Sequence, residues 1–206
     1  MTIEKGKEWG TPTVAPSLRI VAHSDHELAL MPLERTASVV GGDIWHALGK
    51  PTLKTDGAAG SLLSLDALVV TITANSSSRS VLASSCVQIG HWIQMPFLQK
   101  ATRYICITNA GVVDERSIAP RAHPNDGKFD IMRLAESMDW RQRLLSYKRA
   151  ASGTHVPHPL VAIEQSTSIE VVRESRKEML RVDHLEVSDW ESISVAIAPD
   201  HWNLFV

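Results

Sequence analysis

The most distinctive run of this 206-residue chain is Arg121-Ala122-His123-Pro124-Asn125-Asp126-Gly127-Lys128-Phe129-Asp130. Its proline and glycine imply a turn entering a strand. Such a turn can point carboxylate and carbonyl oxygens at one centre, and oxygen ligands of that kind are what Mg²⁺ takes. Asn-Asp-Gly is also a good turn in its own right, so a plain turn and a cation site both stay open. Further on, Gly153-Thr154-His155-Val156-Pro157-His158-Pro159 sets two histidines three apart beside stiffening prolines. With His123 they could hold Zn²⁺ or another transition metal, or each could simply hydrogen-bond its own loop. A basic stretch from Arg133 to Arg149 would place Arg141, Leu144, Leu145 and Lys148 along one side of a helix, fit for an anionic partner or for ordinary packing on a sheet. Trp92, followed by Met95-Pro96-Phe97-Leu98, is a candidate lining for an apolar pocket.

The elements that must position these groups are mostly strands. Residues 1–17, rich in Gly, Pro and Thr, read as a loosely tied arm, followed by a short strand, Leu18 to Ala22. Ser24 stands three residues before Glu27, a capping-box spacing that opens a brief helix stopped by Pro32. Asp43, after Gly41-Gly42, is expected to cap a second short helix, Ile44 to Leu48. From Leu62 the apolar period becomes two, with Leu63, Leu65, Ala67, Val69 and Thr71 on one face. Asn75 to Ser78 reads as a hairpin loop into a strand over Val81 to Ile89. Further strands are expected at 103–108, 129–134, 160–164, 168–173, 192–198 and 202–206, and one later helix over Asp139 to Arg149. Many antiparallel strands with few helices predict a mainly β (α+β) chain built as a β-sandwich, folded as a single domain over 1–206.

Composition narrows the partners. Lys and Arg total 21 against 23 Asp and Glu, a near balance that argues against a general nucleic-acid or membrane-surface binder. Two cysteines, Cys86 and Cys106, are too few for a disulfide framework and point to a reducing cytoplasm. No apolar run reaches the ~18 residues of a transmembrane helix.

Three segments carry a resemblance to the diacylglycerol kinase and bacterial lipid kinase family. Asn125 to Asp130 is similar to the family's Pro-x-Asp-Gly-x-Leu-Asp element, in which an Asp and a nearby carbonyl hold a structural Mg²⁺; Asp126 is the matching position and the Lys128 carbonyl its companion. Leu30-Met31-Pro32-Leu33 followed by Gly42-Asp43-Ile44-Trp45-His46-Ala47-Leu48-Gly49 resembles the family run that contacts the nucleotide, with Asp43 on its second Asp and Gly42 where Asn is usual. Val182-Asp183-His184-Leu185-Glu186 resembles the late Asp-Gly-Glu turn that supplies the catalytic base. Asp183 matches, His184 replaces the Gly, and the Glu position either falls on Leu185 or has slipped to Glu186, which a strand would turn to its opposite face.

The resemblance covers about residues 28 to 206 and implies the carboxy-terminal β-sandwich-like domain of lipid and NAD kinases. The family's amino-terminal lobe, with its Gly-Gly-Asp-Gly-Thr loop, is not expected here. No βαβ opening is read, and Ile44 and Trp45 after Gly41-Gly42-Asp43 would obstruct a phosphate. The resulting expectation is a diacylglycerol-kinase-like module that binds a lipid or phosphorylated small molecule without full kinase activity by itself. Two alternatives stay open: an ATP-dependent lipid phosphotransferase completed by a partner chain that supplies the nucleotide lobe, and a metal-dependent enzyme built on His123, His155 and His158. A homodimer is compatible with all three.

Overall fold

The alternating apolar pattern is realised as two β-sheets in the computed structural model, which describes residues 9–93 and 103–206. In chain order the elements are β1 (Thr11–Val14), β2 (Ile20–Ala22), α1 (Asp25–Ala29), β3 (Thr36–Val39), α2 (Gly42–Ala47), β4 (Ala59–Ala74), β5 (Ser77–Ala83), β6 (Cys86–Ile89), β7 (Tyr104–Thr108), β8 (Val112–Val113), β9 (Arg116–Ser117), β10 (Phe129–Leu134), α3 (Trp140–Ala150), β11 (Val161–Ser166), β12 (Ser168–Val172), β13 (Leu180–Val182), β14 (Leu185–Val187) and β15 (Ser192–Phe205). A seven-stranded sheet runs β1-β4-β15-β3-β2, with β5 on β4 and β12 on β15. A six-stranded sheet runs β11-β10-β7-β6-β13-β14, and β8 and β9 form a small ribbon. The expected β-rich, mainly antiparallel fold with a few short helices is what the chain adopts.

One end departs from that pattern. β2 and β3 are parallel and joined through α1, and β3 continues parallel to β15. This is a small βαβ unit, which corrects the expectation that the chain lacks one. Its thirteen-residue connection, 23–35, is about the shortest that a parallel crossover tolerates. Within the supposed arm, Thr11–Val14 is not loose either, since it pairs antiparallel with β4 from Thr11↔Leu62 to Val14↔Ala59.

The long strands β4 and β15 serve two cores on opposite faces. Leu63, Leu65 and Ala67 pack with Leu28, Ile44, Trp202 and Leu204 beneath the two short helices. Beyond Asp66 the opposite face takes over: Leu68, Val70 and Ile72 join Val87, Ile107, Phe129, Ile131, Trp190 and Val195 between the two sheets. The expected single face therefore holds only as far as Ala67. Thr71 and Thr73 instead pair their hydroxyls with Ser80 and Ser78 across the exposed face, each at 2.9 Å. Period two describes either face equally well, so what packs on each half of the strand decides which one is buried.

Two other boundaries moved for tertiary reasons. The single strand expected over 81–89 is two, because Ser84-Ser85 carries the chain from the first sheet to the second. The two strands expected over 192–206 are one, with a register shift between Ala198 and Trp202. α3 opens on a full capping box between Asp139 and Gln142, yet its expected basic edge is not the face that packs. Arg143 is 1% exposed and donates to the carbonyls of Met138, His91 and Ala135 at 3.1, 3.3 and 3.5 Å, while Leu145 faces solvent. Trp92 lies at the wall of a small cavity, against Tyr104, Tyr147 and His155. Met95 to Leu98 falls outside the described residues.

Candidate functional site

Five chain segments meet where the βαβ unit touches the six-stranded sheet, and carboxylates tie them together. The β13–β14 hairpin closes through Asp183-His184, both with positive φ (44° and 67°), the backbone of a two-residue turn whose twist suits the flanking strands. That turn presents Asp183 inward, 3% exposed, where its carboxylate accepts from the amides of Ser84, Ser85 and Cys86 at 2.7, 2.9 and 3.0 Å. These are the amides left without ladder partners where the chain changes sheet, so Asp183 satisfies the crossing. Burial raises the Asp183 pKa and the three amides partly offset it.

Asp25 performs the same service for α2. Its carboxylate accepts from the Asp43 and Ile44 amides at 2.7 and 3.0 Å. Gly41, the residue preceding the helix, offers no side-chain cap, so Asp25 rather than Asp43 caps α2, a correction to the sequence reading. The close approach needs glycine next door: Gly42 has φ +87°, and a Cβ there would sit 2.6 Å from Asp25 Oδ1. Burial is the main cause that pushes the Asp25 pKa up to about 6.

Freed from capping, Asp43 becomes the centre. Its Oδ2 lies 2.7 Å from His184 Nε2 and accepts from Ser85 Oγ and the Asp114 amide, each at 3.3 Å, while Oδ1 accepts from the Glu115 amide at 3.4 Å. The other imidazole nitrogen, Nδ1, lies 3.4 Å from Asp114 Oδ1, and Asp25 Oδ2 is 4.0 Å from Nε2. The hydrogen bond to Asp43 is the leading cause that pushes the His184 pKa up to about 9. Near neutrality His184 is thus an imidazolium held among carboxylates. It donates protons in hydrogen bonds and does not accept one as a base would.

The structure brings Asp43 and Asp183 to one place, bridged by Ser85. Glu186 is not with them. It sits exposed on β14, in register with Arg181. The other sequence candidates lie elsewhere. Asp126 is in a turn whose Gly127 has φ +71°, and its Oδ1 accepts from the Lys128 amide at 3.1 Å. The three histidines do not converge: His123 Nδ1 accepts from the Asn125 amide at 3.1 Å, His155 Nε2 meets the Ile118 carbonyl at 3.0 Å, and His158 Nδ1 accepts from the Leu160 amide at 3.1 Å. Each anchors its own loop, the plainer of the two readings open from the sequence, and among the described residues the three do not lie together as a ligand group.

Sequence reasoning missed two residues that organise the interior. Asp25 was overshadowed by the capping box around it, in which Ser24 Oγ does accept from the Glu27 amide at 3.2 Å. Asp66, 1% exposed, accepts from the amides of Gly127 and Asp200, each at 2.8 Å, and from Asn125 Nδ2 at 3.1 Å. A charge in the middle of an apolar alternating strand was the available signal. Beside that second hub opens a cavity of about 1130 Å³, lined by Asp126, Asp130, Arg121 and His158 together with Pro120, Pro157, Pro159, Val161 and Ile163.

No protein-family model matches the sequence, and no curated protein matches it either. Solved structures do match in fold. A Bacillus anthracis protein described as a diacylglycerol kinase superimposes with a TM-score of 0.58 at 11% identity, over 90% of this chain and 77% of that one. A second from the same organism gives 0.50 at 11%, over 90% and 76%. The fold is that of diacylglycerol kinases and NADH kinases. Yeast NADH kinase, solved with NADH, gives a TM-score of 0.51 at 9% identity over 90% of this chain and 60% of its own length. Identities this low speak to architecture, and function has to be argued from the site.

Proposed function

We propose that this chain is a kinase-fold binding protein that takes a lipid or phosphorylated small molecule and does not transfer phosphate by itself. The observation that carries this reading is His184. In the turn that resembles the family's base-bearing Asp-Gly-Glu, the position between the two acidic residues holds an imidazolium bonded to Asp43 at 2.7 Å. A base must have an open acceptor site within about 3 Å of the proton it removes. Here the carboxylates of Asp43, Asp25 and Asp183 are already engaged with amides, a hydroxyl and His184. Phosphoryl transfer rests on positioning and charge stabilisation, so losing the base and the glycine loop together is severe.

The cavity beside Asp126 is the proposed ligand site. Its proline, valine and isoleucine wall suits an apolar chain, and Arg121 at the lining suits a phosphate. Asp126, with the Lys128 carbonyl, would supply oxygen donors of the kind Mg²⁺ takes, and a cation held there would add positive charge beside the cavity. Purified chain given ATP, Mg²⁺ and diacylglycerol micelles should form no phosphatidic acid, yet should bind micelles doped with phosphatidic acid. Robust turnover, abolished by Glu186→Gln, would overturn the reading. A second reading, a phosphotransferase completed by a partner chain, is favoured by β2. It is the edge strand of the seven-stranded sheet, where a partner's nucleotide lobe could extend the parallel pairing. A co-purified chain that confers ATP turnover would establish that alternative.

A further inference from the structure

Among the described residues, one group of unlike ligand types comes together, and neither the binding reading nor the fold comparison accounts for it. Asp43 on the first turn of α2, Cys86 at the start of β6 and His184 in the β13–β14 turn place a carboxylate oxygen, a sulfur and an imidazole nitrogen all within 4.8 Å of one another. We propose that Asp43, Cys86 and His184 form a transition-metal site that takes Zn²⁺ or Co²⁺.

Three observations support the assignment beyond proximity. The donor set is a thiol, an imidazole and a carboxylate, a softness that selects zinc-like ions over Mg²⁺ or Ca²⁺. His184 is oriented as metal-bound histidines are: one ring nitrogen points at the cluster, and the other faces the Asp114 carboxylate at 3.4 Å. Such a carboxylate on the distal nitrogen fixes the ring and strengthens it as a ligand. Asp43 is in turn held by the Asp114 and Glu115 amides of the β8–β9 turn, so the carboxylate and the imidazole are both braced by the same ribbon.

The geometry needs one small adjustment. His184 Nε2 and Asp43 Oδ2 share a hydrogen bond of 2.7 Å, whereas two ligands at metal bonds of about 2.0–2.1 Å in a tetrahedron stand roughly 3.3 Å apart. The ion would displace the shared proton and the Cys86 thiol proton, which burial otherwise holds on the sulfur, releasing both to solvent, and would push the His184–Asp43 pair apart by about half an ångström. His184 can yield because its side chain is 33% exposed on a turn, next to Asp114 at 49%. The same exposure gives the ion its path, since Cys86 itself is buried. Asp25 Oδ2, 4.0 Å from Nε2, or water would complete the coordination.

The test is a Co²⁺ titration of the full chain after dialysis against chelator. One equivalent should produce a near-ultraviolet thiolate-to-cobalt charge-transfer band that excess Zn²⁺ removes. Cys86→Ser should abolish the band, and Cys106→Ser, at the other buried cysteine, should keep it. His184→Asn, which retains a residue tolerant of positive φ, should also abolish it and serves as the deciding variant if Cys86→Ser does not fold. Asp114→Asn should keep the band but weaken binding by roughly tenfold, as loss of an orienting carboxylate does. No charge-transfer band at one equivalent, or a band that survives in His184→Asn, would overturn the site.

Discussion

Two buried carboxylate hubs hold this molecule together, and they differ in one respect that matters. Around Asp183, Asp25 and Asp43, carboxylates satisfy the amides of a sheet-to-sheet crossing and a helix start, and a histidine closes the group. Around Asp66, a carboxylate does the same work for the Asn125–Gly127 turn and the bulge of β15, accepting from the amides of Gly127 and Asp200 and from the Asn125 side chain. Tying irregular backbone into a core needs only an acceptor. Adding an imidazole places a group whose pKa is pushed up to about 9 directly on a carboxylate of the first hub.

Removing the acceptors should give the largest effect. Asp183→Ala leaves three buried amides unpaired and should cost on the order of 3–5 kcal/mol in urea unfolding. A loss below about 1 kcal/mol would mean that water or a backbone shift replaces the carboxylate. Asp66→Asn keeps one acceptor oxygen and should cost less, about 1–3 kcal/mol by the same measurement. Equal losses for the two variants would erase the distinction drawn between them.

Gly42→Ala should follow at about 1–3 kcal/mol, because it combines a left-handed φ with a methyl pressed on the Asp25 carboxylate. The matching change at Gly127 meets no atom within 4 Å and should cost only the backbone strain, about 1 kcal/mol.

The pH response sharpens the comparison further. The folded-state pKa of His184 is raised from 6.5 to about 9. Its contribution is fully present below pH 6.5 and is lost as pH rises through 9. With a third of the side chain exposed, screening reduces the effect to about 1–2 kcal/mol. His184→Asn should flatten the stability profile between pH 6.5 and 9 in metal-free buffer, while Asp66→Asn leaves that slope intact. Asp25, raised from 3.8 to about 6, carries the same sign in a lower window: its contribution is present below pH 3.8 and declines as pH rises through 6.

The smallest expected effect is at Asp126. Asp126→Asn retains the turn preference and should change stability by less than about 0.5 kcal/mol without Mg²⁺. If Asp126 holds a cation, millimolar Mg²⁺ should raise the wild-type melting temperature and not that of the variant. An unmoved wild-type melting curve leaves Asp126 as a turn residue alone.

Much of this was written locally in the sequence. The strand over Phe129 to Leu134, the helix capped at Asp139 and the brief helix after Ser24 follow from patterns that neighbouring residues carry themselves. The Asn125-Asp126-Gly127 turn and the β-rich fold class follow in the same way, because alternation and turn chemistry act over a few residues. Tertiary structure alone decided the rest. Whether Leu65 or Leu68 faces a core depends on which layer covers that half of β4, and period two is silent on it. That Asp25 caps a helix eighteen residues away, and that Asp183 caps a crossing about a hundred residues earlier, could not be read from spacing. A buried carboxylate goes to whichever unpaired amides the packing brings within reach. His184 became a cation for the same reason, since only the folded chain sets Asp43, Asp114 and Asp25 around its ring.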